Sequence, residues 1–291
     1  MKVLVTGGAG FIGTNLVLRL LEDGHDVISI DNYSSGNKEN HQKGCIYWDM
    51  DLLDERNAVL DRDEYDVIFH MAALARIQPS LKYPHKTIYN NFISTLNVLE
   101  SARKNNIRFV YAGSSSFHHG LYESPYAWSK FSGEELCKLY SSVYDVETSI
   151  CRFYNVYGDY QIKEGTYATV LGIFQNQYEN KEPLTIVGDG EQRRDFTHVD
   201  DIVDGIVRAS EDYFKECEIF ELGRGVNFSI NEIVDMFGKD YPREYIEQRP
   251  GEYDVTLADY SHAKDLLNWK PTRNIDDYIR DFVETERFFN E

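Results

Sequence analysis

Cysteine and long apolar runs are both scarce in this 291-residue sequence. The cysteines are scattered, with no CxxC pair and no metal-ligand spacing, at positions 45, 137, 151 and 217. That pattern favours reduced thiols in a cytoplasmic protein and no metal site. The longest apolar stretch, residues 67–75, is interrupted by His70 and is too short to span a membrane. The first residues lead directly into an apolar strand and a glycine-rich turn, which is unlike a secretory signal.

Positive charge is in short supply as well. The sequence has 30 Lys and Arg against 49 Asp and Glu, which gives a formal net charge of −19. Such a chain is not expected to bind nucleic acid or an anionic membrane surface. Anionic small molecules are not excluded, because a few arginines and a helix N-terminus suffice to hold a diphosphate. A hydrophobic content of 42% is ordinary for a globular protein. We therefore expect a soluble enzyme.

The first half of the sequence alternates short apolar segments with amphipathic ones. Strands are predicted at residues 2–6, 26–30, 45–48, 66–71, 108–112 and 148–153. Helices are predicted between them at residues 11–21, 86–104 and 126–143. Alternation at this spacing predicts βαβ units with right-handed crossovers. The expected fold is therefore α/β, with a Rossmann-like, doubly wound parallel sheet.

After residue 154 the connecting segments lengthen, and a second unit is predicted. Further helices are expected at residues 168–177 and 199–211, and another strand at 219–222. No Pro/Gly-rich linker separates the halves, so the second unit is expected to be intertwined with the first. We expect residues 1–155 plus about 196–225 to form the domain that contains this parallel sheet. Residues 156–195 plus 226–291 are expected to form a smaller α/β substrate-binding domain.

A glycine-rich motif follows the first predicted strand and opens the first predicted helix. It reads GxxGxxG, with glycines at Gly7, Gly10 and Gly13. Glycines there permit a tight turn and a close approach of a pyrophosphate, which binds the free N–H groups of the helix N-terminus. Asp31 ends the second strand, 18 residues after Gly13. A carboxylate at that position accepts both ribose hydroxyls and repels a 2′-phosphate, which favours NAD over NADP.

The glycine motif, followed by the segment Asp31-Asn32-Tyr33-Ser34-Ser35-Gly36, resembles the extended short-chain dehydrogenase/reductases. Within them the sequence is most similar to the NAD-dependent epimerase/dehydratase family and its UDP-glucose 4-epimerase type. The resemblance covers nearly the whole chain. It implies further cofactor-binding residues at Phe11, Ile12, Asn32, Asp51, Leu52, Ala72 and Asn91.

The candidate catalytic pair is Tyr126 and Lys130, which are four residues apart and share one helix face. A tyrosine has an ordinary pKa of about 10, too high for a base at neutral pH. A nearby ammonium and the positive nicotinamide are expected to favour the phenolate and lower the Tyr126 pKa. Lys130 is also a candidate to bind the nicotinamide ribose. Tyr126 is then the predicted general base.

Three consecutive serines follow the fifth predicted strand, where the family places a Ser or Thr that bonds the reacting sugar hydroxyl. Counting five residues back from Gly120 selects Ser115, whereas a one-residue gap selects Ser114 or Ser116. The family's Val-Tyr-Gly ending is replaced by Phe117-His118-His119-Gly120, and Tyr126 follows Ser116 by only ten positions. The two histidines are expected either to be exposed or to reach the sugar.

The resemblance also implies a set of substrate-binding residues. They are Asn155 after the sixth strand, Leu184 beside the nucleobase, Arg194 and Arg249 on the diphosphate, and Thr256 beside the sugar. Two converging guanidinium groups suit a diphosphate because each forms bidentate, charge-assisted bonds. Relatives restricted to plain hexoses have a bulky aromatic at the Thr256 position. Threonine there predicts room for an acetamido group.

The predicted function is an NAD-dependent nucleotide-sugar 4-epimerase that acts on a UDP-hexose or a UDP-N-acetylhexosamine. The alternatives are a 4,6-dehydratase, a 4-keto reductase and a non-catalytic NAD-binding regulator. Dehydratases of the family carry an Asp-Glu pair directly after the Thr, and that pair is absent here. The resemblance further implies a homodimer, in which the helices at residues 86–104 and 126–143 form a four-helix bundle with their symmetry mates.

Overall fold

The computed structural model describes residues 1–54, 60, 64–212, 214–248, 251 and 253–290. The strands are β1 Lys2–Thr6, β2 Asp26–Asp31, β3 Ile46–Asp49, β4 Val67–His70, β5 Arg108–Ser114, β6 Thr148–Phe153, β7 Asn155–Tyr157, β8 Leu184–Val187, β9 Arg193–His198, β10 Glu218–Leu222, β11 Asn227–Ser229 and β12 Arg243–Ile246. The α-helices are α1 Phe11–Glu22, α2 Ile77–Lys82, α3 Pro84–Asn105, α4 Pro125–Tyr144, α5 Val170–Glu179, α6 Val199–Glu211, α7 Ile230–Phe237, α8 Ser261–Leu267 and α9 Ile275–Asn290.

The main sheet has seven strands in the order β10-β6-β5-β4-β1-β2-β3. All of its strand pairs are parallel. The predicted α/β class and the Rossmann-like, doubly wound parallel sheet are therefore confirmed. The strand order reverses between β1 and β4, and the carboxyl ends of the strands on either side of that reversal leave a crevice in such sheets.

The central strands of the main sheet are buried on both faces, as a parallel sheet requires, whereas the edge strand β3 is mostly exposed. Alternate residues of each strand point to opposite faces, so Val3 and Val5 of β1 pack with α1, α6 and α8 on one side. Leu4 between them packs with α3 and α4 on the other side. Residues 261–269, which the sequence prediction assigned to the substrate domain, pack in the core of the main sheet through Ala263, Leu267 and Trp269.

A smaller part of the chain has its own sheets. One contains three strands in the order β11-β9-β7, and the other pairs β12 with β8. Their apolar side chains pack with α5, α7 and α9 in a separate core cluster. The chain passes from β6 of the main sheet to β7 of the small sheet over a single residue, Tyr154. None of the described helices combines the length and the apolar character needed to cross a bilayer.

Candidate active site

The glycine turn connects β1 to α1 and needs its glycines for two physical reasons. Gly7 has a φ of +74°, a left-handed conformation that side chains with a Cβ rarely adopt. A Cβ on Gly13 would lie 2.0 Å from the carbonyl oxygen of Gly7. Gly10, the N-cap residue of α1, offers no side-chain cap, so the first N–H groups of the helix stay available to an anion.

Asp31 is fixed at the carboxyl end of β2. Its two carboxylate oxygens accept hydrogen bonds from the N–H groups of Ala9, at 2.9 Å, and Tyr33, at 2.8 Å. Burial raises the Asp31 pKa, and the same two backbone hydrogen bonds oppose that rise. The amide of Asn32 donates to Asp51 at 3.1 Å. This arrangement holds Asp31 at the mouth of the cleft with its carboxylate orientation set by backbone donors.

Most of the predicted cofactor residues line one cleft at this sheet edge. They are Gly7, Gly10, Phe11, Ile12, Gly13, Asp31, Asn32, Asp51, Leu52 and Ala72. Asn91 is an exception. It is buried, exchanges hydrogen bonds with the backbone of Leu74, and donates to Ser129 Oγ at 2.9 Å. Asn90 and Ser94 of α3 line the cleft instead.

The different place of Asn91 follows from helix geometry, because successive residues of a helix point about 100° apart. The sequence motif located the correct turn of α3 but not the residue that faces the cleft. Asn91 ties the loop after β4 to α4, which makes it a positioning residue for the cofactor cleft.

Tyr126 lies in a second cavity, which adjoins the cleft and shares Arg76 and Phe153 with it. Its hydroxyl is 3.5 Å from the Oγ of Ser114. Burial raises the pKa of Tyr126, while the Ser114 hydroxyl and the charge of Arg76 oppose the rise. The sequence analysis expected Lys130 and the positive nicotinamide to lower the Tyr126 pKa. In the protein itself burial dominates, and the opposing cation is Arg76.

Lys130 lies one turn after Tyr126 on α4 and is almost completely buried. Its ammonium nitrogen is 4.4 Å from the ring centroid of Tyr111. Burial lowers the Lys130 pKa to about 8, although Glu134, one further turn along the helix, raises it. A lysine with this pKa titrates close to neutral pH, so it can hold or release a proton under working conditions.

The three serines after β5 differ in what they contact. Ser114 accepts hydrogen bonds from the backbone N–H of Ser116, at 3.2 Å, and from its hydroxyl, at 2.9 Å. Ser115 begins a 3₁₀ turn that ends at His119, and all three serines line the cavity. Only for Ser114, among the described serines of this turn, does the structure record a contact with the Tyr126 hydroxyl.

Arg76 is a site residue that the sequence analysis missed. Its Nε and one terminal nitrogen donate to the carbonyl oxygen of Tyr167, at 3.0 and 2.8 Å, which joins the loop after β4 to the segment before α5. No carboxylate pairs with it within the described ranges of the chain. The available signal was its position, since an arginine in an Ala-rich loop at a strand's carboxyl end faces the ligand crevice.

The second cavity has a volume of about 460 Å³, within the range of small-molecule sites. The predicted residues Asn155, Arg194 and Thr256 line it. The predicted Arg249 lies outside the described residues. Among the described lining residues there is no Asp or Glu. Across the described ranges, no group of three or more His, Cys, Asp or Glu is placed to hold a metal ion.

Two of the predicted substrate contacts differ from expectation. Leu184 is fully buried in the small core, and Thr185 and Val187 of β8 line the cavity instead, because alternate strand residues point to opposite sides. The hydroxyl of Thr256 accepts a hydrogen bond from the Asp195 N–H at 3.0 Å. Thr256 thus stabilises β9 as well as lining the cavity.

A buried ionic network lies behind the cavity and anchors the turn after β5. Arg152 of β6 binds Glu134 at 2.6 Å and Glu221 at 2.9 Å. Its guanidinium carbon lies 3.5 Å from the ring centroid of Phe117, and Glu221 also accepts from His118 at 2.7 Å. The turn at 117–118 is therefore fixed on charged groups from α4, β6 and β10.

The fold and the site together define a class of dinucleotide-binding enzymes with a Tyr–Lys pair at the sheet edge.

Comparisons with known proteins agree with that class. Residues 3–223 match the model of the NAD dependent epimerase/dehydratase family. The chain is 32% identical to a UDP-glucose 4-epimerase of Mycolicibacterium smegmatis, with 98% of each protein covered. It is 31% identical to a UDP-glucuronate 4-epimerase of Thermodesulfobacterium geofontis, with 95% of this chain and 93% of that protein covered.

A comparison with a solved structure shows the same fold. The UDP-glucose 4-epimerase of Thermotoga maritima, in complex with UDP-glucose, superposes with a TM-score of 0.91 at 30% identity, and 100% of each chain is covered. The chain belongs to the NAD-dependent epimerase/dehydratase family. The family and the relatives named here are nucleotide-sugar enzymes, and the relatives are UDP-sugar 4-epimerases.

Proposed function

We propose that this chain is an NAD-dependent nucleotide-sugar 4-epimerase that acts on a UDP-hexose or a UDP-N-acetylhexosamine. The observation that carries the proposal is the position of Tyr126. Its hydroxyl lies 3.5 Å from Ser114 Oγ, inside a cavity that adjoins the glycine-turn cleft. A base held between a dinucleotide cleft and a sugar-sized cavity is the arrangement that reversible oxidation of a sugar hydroxyl requires.

The residues of the cleft fit NAD. A Cβ on Gly13 would collide with Gly7, so the turn is built to bring backbone N–H groups close to a ligand. Asp31, held by two backbone donors, suits the two ribose hydroxyls and disfavours an additional phosphate. Asp51 and Leu52 also line the cleft, and we assign them to the adenine. When bound, NAD supplies a hydride acceptor for C4 of the sugar and later returns the hydride.

Tyr126 removes the proton of the C4 hydroxyl, directly or through Ser114, and gives a proton back on the reverse step. The buried ammonium of Lys130 lies one helical turn away, and the charge of Arg76 lowers the Tyr126 pKa. The Arg76 charge favours the phenolate that this step needs. Tyr126 pairs with Ser114 in this proposal, rather than with the Ser115 that motif counting selects.

Inversion at C4 requires the 4-keto sugar to turn over while its nucleotide stays fixed. Arg194 and Asn155 line the cavity from β9 and β7 of the small sheet, and this supports assigning them to the diphosphate. The nucleotide must stay fixed while the sugar turns over. We therefore assign binding of the nucleotide to the small sheets, and proton transfer at the sugar to β5 and α4. Room for an acetamido group is proposed beside Thr256, with the sugar preference to be read from a substrate panel.

Dehydration is the rival reaction within the family, and the cavity argues against it. A 4,6-dehydratase needs an acid and a base to remove the C5 proton and release the C6 hydroxyl. The described lining residues include no carboxylate, and Ser115 and Ser116 follow Ser114. An NMR product assay separates the two reactions, since dehydration gives a 4-keto-6-deoxy sugar and epimerisation gives a sugar that keeps its C4 and C6 hydroxyls.

The direct test compares Tyr126→Phe with the wild type. Loss of the general base is expected to lower the turnover of UDP-glucose or UDP-N-acetylglucosamine at least about 100-fold, with little change in UDP binding. Tyr122→Phe is the matched control, because Tyr122 is 90% exposed. Wild-type turnover in Tyr126→Phe would place the chemistry elsewhere. No turnover of any nucleotide sugar by the wild type would favour the non-catalytic regulator.

We also propose a homodimer through α3 and α4, in a cytoplasmic protein. Trp128, Leu139 and Val143 of α4 expose apolar surface and are separated by 11 and 4 residues, close to whole helical turns. Leu139→Glu is expected to yield a monomer in light scattering, while Val226→Glu, an exposed position outside both helices, leaves the mass unchanged. A monomeric wild type would refute the dimer.

The free thiols support the cytoplasmic location.

A further inference from the structure

The turn after β5 is short and rigidly attached, and this determines where His119 points. Phe117 stacks on the Arg152 guanidinium, and His118 Nε2 donates to Glu221 at 2.7 Å. These two contacts fix residues 117 and 118 on the buried ionic network. The next residue, His119, is then directed away from that network and towards Tyr253, with the two ring centroids 4.7 Å apart.

His119 and Tyr253 each carry a buried polar atom without a hydrogen-bond partner. These atoms are Nε2 of His119 and the hydroxyl oxygen of Tyr253. The Ser124 hydroxyl lies close enough to lower the Tyr253 pKa, but it already caps α4 and does not meet hydrogen-bond geometry with Tyr253. Two unpaired polar atoms on adjacent rings are costly in a folded protein, unless a ligand satisfies them.

Tyr253 lines the sugar cavity together with Tyr126 and Arg194. Burial and the nearby Tyr126 phenol raise the Tyr253 pKa, and both phenol groups line the same cavity. Burial and the neighbouring His118 and Arg194 lower the His119 pKa, and Glu221 opposes this effect. The pair is therefore uncharged at neutral pH and offers hydrogen bonds without a counter-charge.

We propose that Tyr253 and His119 form a hydrogen-bonding subsite for an uncharged substituent of the hexose, either a hydroxyl or an acetamido group. This proposal rests on the proposed function, which supplies the sugar nucleotide as the ligand. It would select the sugar rather than take part in proton transfer at C4. The imidazole and the phenol can each donate or accept, so one substituent can satisfy both orphan atoms.

The test is a binding measurement that needs no turnover. Calorimetry on the intact protein gives the Kd of UDP and of UDP-N-acetylglucosamine or UDP-glucose, and the ratio isolates the sugar's contribution. Tyr253→Phe removes only the hydroxyl and is expected to weaken sugar-nucleotide binding about 3- to 10-fold, while the Kd of UDP stays within about twofold. His119→Phe is also expected to weaken sugar-nucleotide binding. His119→Gln keeps a hydrogen-bonding group and is expected to bind the sugar nucleotide more tightly than His119→Phe does.

Tyr122→Phe is the matched control, since it makes the same chemical change on an exposed tyrosine of the same connection. Equal weakening of UDP and of the UDP-sugar, or no change in either, would overturn the subsite. If the wild type binds UDP-sugars as expected but does not turn them over, the ratio still tests the subsite while the epimerase proposal fails. If neither UDP nor dTDP and their sugars bind, both proposals are wrong.

Discussion

The hydroxyl of Tyr126 lies 3.5 Å from the Oγ of Ser114, which is the last residue of β5. That distance is long for an O–H···O hydrogen bond, and catalytic contacts commonly shorten when substrate binds. The pair joins the N-terminal turn of α4 to the carboxyl end of the central sheet. A sugar hydroxyl that approaches both oxygens completes a path for one proton.

Ser114→Ala is expected to lower kcat at least about 10-fold, because it removes the only recorded partner of the Tyr126 hydroxyl within the described chain. Ser115→Ala is expected to change kcat by less than about threefold. Ser116→Ala controls for the fold, since it breaks the 2.9 Å bond to Ser114 without touching Tyr126. Steady-state kinetics on the three variants shows which serine assists Tyr126. A larger loss of kcat in Ser115→Ala than in Ser114→Ala would support Ser115, the residue selected by counting from Gly120.

Asp31→Ala is expected to weaken NAD binding and to relax the preference for NAD over NADP. The carboxylate is held by two backbone donors and has no other described side chain to neutralise it, so it repels a 2′-phosphate. The measurement is the Kd of both cofactors by fluorescence, together with cofactor released on denaturation. Recovery of mostly NADP from the wild type would contradict the role given to Asp31.

Lys130→Met is expected to abolish activity and to raise the melting temperature at pH 7. The folded Lys130 pKa is about 8, below the unfolded value of 10.5, so the cost of burying its ammonium is fully present below pH 8. Between those two values the unfolded chain binds more protons, and the cost fades as the pH rises. The gain at pH 7 is at most about 3 kcal/mol.

Thermal unfolding of Lys130→Met at pH 7 and pH 9.5 checks this prediction, with a smaller gain expected at the higher pH. Lys138→Met is the control, because Lys138 lies on the same helix and pairs with Glu135 at the surface. A lower melting temperature for Lys130→Met at pH 7 would show that the ammonium's contacts with Tyr111 and Glu134 outweigh its burial.

Arg76→Gln is expected to move the acidic limb of the pH–rate profile to higher pH. The Arg76 charge lowers the Tyr126 pKa, so its removal leaves Tyr126 protonated over a wider range. Ser114, Lys130 and Tyr253 also face this part of the cavity and are unchanged in the variant. Arg76→Lys keeps the charge and is expected to recover most of the profile. A fall in kcat without a shifted limb would indicate a purely structural role.

Local signals in the sequence predict the main fold well. The predicted strands at residues 2–6 and 148–153 have the observed bounds, because apolar runs flanked by glycine or polar turns define parallel strands without tertiary information. The glycine turn, Asp31 and the Tyr126–Lys130 pair are equally local, since each is set by spacing within one strand–helix unit.

What could not be predicted depends on contacts between distant segments. Whether Leu184 or Thr185 faces the cavity depends on how β8 pairs with β12, about 60 residues away in sequence. The contact between Ser114 and Tyr126 depends on how tightly the turn between them is drawn in by Arg152 and Glu221. The orientation of Arg76 also depends on a distant segment, because its guanidinium donates to the carbonyl oxygen of Tyr167, 91 residues away in sequence.

The short connection between β5 and α4 has a consequence for how the active site can be altered. Ser114, Tyr126 and Lys130 all lie within residues 114–130, one continuous segment, whereas the cofactor cleft draws on residues from Gly7 to Tyr167. Closing so short a loop costs little chain entropy. A single exchange of residues 114–130 between family members would therefore replace Ser114, Tyr126 and Lys130 together, and the exchanged segment would need to keep Ser129, which accepts the hydrogen bond from Asn91 beside the cofactor cleft.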